Sequence, residues 1–378
     1  MELKEYTLDE LLPYEQPTKY IVESTKYDDS YETPVLTAGK SFILGYTDEK
    51  EGIFEKDRLP VIIFDDFTTA SQFVNFPFKV KSSAMKILNV NTELVLPKYI
   101  YYRMQTIQIE HDTHKRYWIQ HYSKIKIQIP SIEEQEKVVA KIEEIFSQID
   151  EGVNILLKTK EQIDIYRQSV LNCAFSEMEE SKNLDEIAMM IDPQPSHRTP
   201  AEVEGGIPYI GIGDIDYESR KVLFATARKV SGKVLEEHLN RYTLDDGDFV
   251  MGKIGTIGKP YRLPLPQNYA LSANVILIKP NADIIEPDFL FWQFSSPLVT
   301  LQLLKGASAT SQPAFGIKKA RLLEIKICSL ERQKEVVMLI NEKMSVCDQI
   351  EITIKKALLQ AESMRQSILK KAFEGRLV

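Results

Sequence analysis

The chain has 378 residues, 43% of them hydrophobic, and a formal net charge of -8. That length and apolar content exclude a disordered polypeptide and exceed what one core usually covers, so two or more domains are expected. Apolar runs such as 61–64 and 275–278 fall far short of the roughly 20 residues that span a bilayer, residues 1–9 are acidic and unlike a secretory leader, and Cys173, Cys328 and Cys347 have neither paired nor zinc-type spacing.

A cytoplasmic protein with free thiols is therefore expected, without membrane segment, metal site or cofactor. From the N-terminus, short β-type runs broken by Gly and Pro lead to the helix-patterned stretch Pro97-Lys98-Tyr99-Ile100-Tyr101-Tyr102, which predicts an α+β globule over residues 1–131. The strand-like Ile125-Lys126-Ile127 then opens onto a long helix within 132–180, where Ile142, Ile149, Leu156, Ile163 and Val170 recur every seven residues. That spacing predicts a coiled-coil seam, widened by Ile145 and Tyr166. A second globule is expected over 181–324, and Ile325-Lys326-Ile327 opens onto a second helix within 325–378. Its seam is Ile340, Cys347, Ile354, Ala361 and Ile368, widened by Ile350, Ala357 and Met364.

These elements are two copies of one plan. Residues 135–175 align without a gap on 333–373 at an offset of 198, with 15 of 41 positions identical, including Gln135 with Gln333 and the Arg167-Gln168-Ser169 block with Arg365-Gln366-Ser367. Weaker echoes run through the globules. Leu8-Asp9-Glu10-Leu11 answers Leu184-Asp185-Glu186-Ile187; Thr33-Pro34-Val35-Leu36 answers Ile207-Pro208-Tyr209-Ile210; residues 83–88 answer 272–277; and 97–102 answer 287–292. About 40 helical residues make a rod of about 60 Å, long enough to act as a spacer.

Charge follows the same segmentation. Residues 132–180 carry 12 acidic and 5 basic groups and 325–378 carry 7 and 10, so pairing of the two helices is electrostatically favoured. No Asp or Glu occurs in 67–92, 113–132, 249–282 or 289–323, each of which holds several Lys or Arg. Locally basic surfaces of this kind can bind phosphates even on an acidic chain, because repulsion is screened beyond about 10 Å.

The duplicated order of Gly206-Ile207-Pro208-Tyr209-Ile210 with Gly213-Asp214-Ile215, Gly247-Asp248-Phe249-Val250 leading into 252–259, Leu271-Ser272-Ala273-Asn274, residues 308–312, and the helix-opening Gln135 and Gln333 resembles the specificity subunits of type I restriction-modification systems over nearly the whole chain. The first globule departs from the pattern, with Phe64-Asp65-Asp66-Phe67-Thr68-Thr69 where the second has its glycine-rich turn. The resemblance implies two target-recognition domains held apart by two antiparallel coiled-coil helices with pseudo-two-fold symmetry. It further implies reading of a bipartite, asymmetric site in double-stranded DNA, and docking of two methyltransferase subunits and of restriction-translocase subunits.

Candidate DNA contacts in the second globule are Lys253, Thr256, Lys259 and Arg262, set among glycines at spacing three, and Ser308, Thr310, Ser311 and Gln312 beside Lys318 and Lys319. Glycine lets backbone amides approach phosphates, cations add salt-dependent affinity, and Gln can read adenine bidentately. A plain glycine-rich strand turn and a polar helix-capping loop are the alternatives. In the first globule the candidates are Thr68, Thr69, Ser71 and Gln72 with Lys79 and Lys81, and Lys115 with Arg116 among aromatics; Trp118 and Tyr122 fit a core equally well. Ile257-Gly258-Lys259-Pro260 breaks the spacing of a nucleotide-binding P-loop, and no Asn/Asp-Pro-Pro-aromatic methylation motif is present. His111 and His114 lack further ligands. No catalytic residue is expected. The remaining alternatives are a specificity subunit of a type II or orphan methyltransferase, and a helical scaffold that does not touch DNA.

Overall fold

The computed structural model describes residues 3–39, 41–107, 116–194, 196, 198–253, 257–307 and 315–377. Two long helices dominate, Ile132–Ser176 and Leu330–Phe373, of 45 and 44 residues. The chain divides into two compact units, one of Met1–Leu156 with Lys355–Val378 and the other of Leu157–Ile354, so each globule is packed with half of each helix.

Within each unit the helix halves run antiparallel. In the first, Ile142 is buried with Leu369 and Ala372 among Val138, Phe146, Phe373 and Leu377, and Asp150 pairs with Arg365. In the second, Leu171 and Phe175 join Val336, Val337, Ile340 and Met344, and Arg167 pairs with Asp348 at 2.7 Å. The pairs repeat: Asp150 and Arg167 are the 198-residue counterparts of Asp348 and Arg365.

All ten seam positions read from the sequence are buried or half-buried. Three of the flanking positions are not: Tyr166, Ile350 and Met364 are 47%, 40% and 53% exposed. The next residue is half-buried instead, Arg167, Glu351 and Arg365, whose charges pair between the helices. An ion pair at a half-buried position hides that position from an apolar pattern.

The globules share one topology. In the first, a four-stranded antiparallel sheet has the strand order Tyr14–Glu15, Met85–Asn89, Val61–Asp65, Ser71–Val74; in the second, the order is Ala188–Ile191, Val275–Pro280, Phe249–Gly252, Pro260–Tyr261. A three-stranded sheet accompanies each, and in both its central strand, Thr33–Leu36 or Ile207–Ile210, is joined in parallel to a short strand, Lys79–Val80 or Ala270–Leu271. The sequence echoes fall on equivalent elements. Leu8–Leu11 and Leu184–Ile187 are both single helical turns with capping boxes, Thr7 with Glu10 and Asn183 with Glu186, and Pro97–Met104 and Pro287–Phe294 are both helices begun by proline.

Each globule is fastened to its helices by the same glutamine. The amide of Gln135 is fully buried; its oxygen accepts from Leu96 N–H at 2.8 Å and its nitrogen donates to the carbonyls of Leu94 and Pro130. Gln333, also fully buried, accepts from Glu286 N–H at 2.8 Å and donates to Ile284 and Cys328. Both satisfy backbone groups that the end of a strand and the start of a helix leave without ladder partners. Aromatic edges complete the joint, Tyr99 on Phe373 in one unit and Phe175 on Phe289 in the other.

Candidate nucleic-acid interface

In the second globule the strand Phe249–Gly252 delivers Lys253 to the sheet edge, where its backbone N–H donates to Asn274 and its carbonyl accepts from Phe315 N–H at 2.9 Å. Ser272 and Asn274 hydrogen-bond each other, and Asn274 Oδ1 accepts from Ile212 N–H at 3.2 Å. These loops line a cleft of about 570 Å³ with Tyr209, Asp214 and Arg228. Gly211 lets the backbone approach these side chains closely, since a Cβ would lie 2.8 Å from both Ser272 Oγ and Asn274 Oδ1. Burial raises the pKa of Tyr209, against the opposing effect of the Ala273 backbone.

The charges around the cleft are nearly balanced. Lys253 Nζ lies 3.0 Å from Asp192, Arg228 donates to the Pro200 carbonyl and sits 3.9 Å from Glu202, and Asp214 accepts from Gly211 N–H. Beneath it His238 is buried, with Nε2 at 2.8 Å from Gln194 Oε1 and Nδ1 at 3.0 Å from Tyr242 Oη. Burial pushes its pKa down to about 4, which keeps the ring neutral.

Among the described residues, the sequence-predicted cations separate into those paired with a carboxylate and those that are not. Lys259 is exposed, with its ammonium 4.2 Å from the centre of the Tyr217 ring. Lys318 and Lys319 are exposed on the short helix Ile317–Ala320, and Lys319 donates to the Gly306 carbonyl. The fold draws these segments together: Gly258 faces Leu303, Gly306 faces Phe315, and Phe315 is bonded to Lys253. Arg262 does not join them. Strand register places Tyr261 opposite Val250 and Pro260 opposite Met251, so Arg262 lies toward the far end of the ladder from Lys253, and it pairs with Asp288 over the Phe291 ring. Gly258 has φ +76 and no room for a Cβ against Leu303, so its glycine is explained by the turn and its packing. Thr256, Ser308, Thr310, Ser311 and Gln312 lie outside the described residues, as do Lys115, His111 and His114.

In the first globule the turn between Val61–Asp65 and Ser71–Val74 carries Thr68 and Thr69; Asp65 accepts from Phe67 and Thr68 N–H groups, and Thr69 has φ 57. Gln72 is half-exposed on the following strand, and Ser71 accepts from Gln105 at 2.8 Å. Asp66 turns inward, accepting from Trp118 N–H at 2.8 Å with Lys86 3.6 Å away, and its carbonyl accepts from Tyr117 N–H. This linkage sets exposed Arg116 beside the polar turn and makes Trp118 and Tyr122 core residues. Lys81 is exposed. Lys79 is a correction: it is only 3% exposed, paired with Glu49 at 2.7 Å and donating to the Glu51 carbonyl, so its charge is consumed inside the fold. The acid-free window 67–92 misled because the partner carboxylates of Lys79 and Lys86 come from elsewhere or from its border. Arg228, which lines the cleft, and Asp192, which pairs with the cleft residue Lys253, carry no local pattern in the sequence and reach this place only through pairing of distant strands.

The chain is thus a duplicated α+β globule, each copy clamped by a glutamine to antiparallel helix halves. Residues 178–361 match the family model described as the type I restriction modification DNA specificity domain. The chain is 41% identical over 227 residues to the type I restriction enzyme EcoR124I/EcoR124II specificity subunit of Escherichia coli, covering 57% of this chain and 56% of that one. It is 24% identical over 276 residues to the EcoBI specificity subunit of the same species, covering 66% and 58%. The chain thus spans somewhat over half the length of the curated relatives it matches. A solved chain from work on assembly and conformational transition of the type I R-M system shares its fold, with TM-score 0.68 and 14% identity over 99% of this chain and 98% of that chain. Over these matched regions the chain is similar to type I restriction-modification specificity subunits.

Proposed function

We propose that the chain is the non-catalytic DNA-reading subunit of a type I restriction-modification enzyme, in which each globule reads one half of a bipartite, asymmetric site in double-stranded DNA. Methyltransferase and restriction-translocase subunits supply the chemistry. The observation that carries this reading is the duplication itself. Scaffold, capping boxes, docking glutamines and seam ion pairs repeat, while the surface loops between them differ, which suits a device that binds two unlike sequences at fixed separation. Among the described residues no group of three His, Cys, Asp or Glu side chains could hold a metal, and no helix is long and apolar enough to cross a membrane.

Lys259, Lys318 and Lys319 are the phosphate contacts of the second globule in this reading, and Thr68, Gln72, Lys81 and Arg116 those of the first. Lys253 and Arg228 line the cleft as paired cations that a phosphate would draw from their carboxylates. The test is co-expression with the cognate methyltransferase subunit in a host free of other DNA methylation, followed by sequencing of modified bases. One two-part motif is expected, and none when this chain is omitted. Replacing Lys259, Lys318 and Lys319 with alanine should lower the slope of log affinity against log salt by up to about three units, near one per lost phosphate contact. Base modification by the isolated chain, or an unchanged slope in a folded complex, would contradict the respective parts of this reading.

A further inference from the structure

The second globule touches its helices at a place that the glutamine joint does not explain. The hairpin pairing Ile215 with Val222 and Asp216 with Lys221 projects Arg220 onto the middle of the second long helix. There the guanidinium makes two parallel bonds to Asp348, Nη1 to Oδ2 and Nη2 to Oδ1, each 2.7 Å. Asp348 is at the same time bound by Arg167 of the first long helix, which also reaches Glu351 at 2.7 Å. The hairpin thus closes a network that already locks the helices in register. A two-point guanidinium fork fixes direction as well as distance.

Arg220 has φ 53, a left-handed conformation that non-glycine residues adopt at a cost. Asp216 holds the tight turn that imposes it, accepting from the Glu218 and Ser219 N–H groups. The other side of the same hairpin meets the candidate DNA surface. Tyr217 donates to the Lys259 carbonyl at 2.9 Å, packs edge-on against Tyr261 and lies under the Lys259 ammonium. One short hairpin therefore ties the reading loop to the helix frame. In the first unit Asp150, the counterpart of Asp348, is bound by Arg365, and no globule side chain joins that pair among the described residues.

We propose that this hairpin is a strut that sets the reading face of the second globule against the helical frame, with Arg220 and Asp348 as positioning residues for the spacing between half-sites. The proposal rests on the DNA-reading function above. Its partners are surface-accessible, so the strut biases the globule's pose by a modest factor. Spacing tolerance, which is sensitive to small angular shifts, is where that factor appears.

The test uses the complete methyltransferase complex in a methylation-free host, with the host genome as the panel of half-site spacings. Arg220→Gly removes the fork and relieves the left-handed turn, so the hairpin is kept; Arg220→Lys keeps the charge but loses the two-point geometry. Wild type is expected to modify sites of one spacing. Arg220→Gly should retain both half-site sequences and modify sites whose gap differs by one base pair about five-fold more often than wild type, with Arg220→Lys in between. Unchanged stringency in Arg220→Gly would overturn the strut, as would an altered second half-site sequence or loss of all modification by a complex whose amide exchange shows it folded. If Arg220→Gly failed to fold, Arg220→Lys would be judged by the same criteria. Absence of any modified motif with wild type would instead overturn the DNA-reading function, and the strut with it.

Discussion

Replacing Gln333 with alanine isolates the energetics of the joint between globule and helix. The side chain is fully buried, and three backbone groups depend on it: Glu286 N–H, and the carbonyls of Ile284 and Cys328. Alanine can accept or donate to none of them. A made hydrogen bond contributes about 1 kcal/mol net, and a buried N–H left without an acceptor costs about 1–3 kcal/mol. Three bonds with one stranded donor give a loss of about 3–5 kcal/mol, a large share of a domain's stability. Urea unfolding of wild type and mutant, read by tryptophan fluorescence and circular dichroism, would measure it, and hydrogen exchange would report the Glu286 amide directly. Gln135→Ala removes the same three-bond set in the other unit, which makes it an internal replicate. A loss below about 1 kcal/mol at both positions would refute the argument, because it would mean that water satisfies the orphaned groups without cost.

Burial of His238 gives a folded pKa of about 4 against 6.5 for the free side chain, so the unfolded chain binds the extra proton first and stability falls as pH drops from about 6.5 to 4; the loss of about 3 kcal/mol should be absent from His238→Gln in pH-resolved denaturation. Gly258→Ala must place a Cβ 2.1 Å from Leu303 Cδ1 at φ +76, and a destabilisation of at least about 2 kcal/mol is expected by thermal melting, partly recovered by Leu303→Ala. Lys86→Met strands Asp66 in the core and should cost about 3–5 kcal/mol, whereas adding Asp66→Asn should restore part of it; equal stability of single and double mutants in denaturant would exclude the pairing.

Much of the architecture is legible in the sequence because duplication converts weak signals into paired ones. A capping box over four residues is a slight hint alone, but Leu8–Leu11 and Leu184–Ile187 occur in the same place in both copies and take the same form. The heptad seam is legible for the same reason, except where Arg167, Glu351 and Arg365 substitute charge pairing for apolar contact. The candidate interface is much less legible. Whether a lysine is a surface cation depends on carboxylates distant in sequence, as Lys79 with Glu49 and Lys253 with Asp192 show. Arg262 appeared contiguous with Lys259, yet strand pairing directs it to Asp288. Composition locates regions rich in cations, but only the folded register decides which of them are available.

The division of the chain has a consequence for its birth on the ribosome. The second unit is one continuous stretch, Leu157–Ile354, and every residue it needs has been synthesised before the last helix is finished. The first unit is interrupted: its globule is made first, but Ile142 and Tyr99 wait for Leu369, Ala372 and Phe373, more than two hundred residues later. Since domains form as units once their residues are available, the later-synthesised unit is the first able to complete itself, and the earlier one is finished by the closing turns of the final helix. Until then the nascent chain carries an apolar face around Ile142 that is uncovered, and it is the segment 355–378 that covers it.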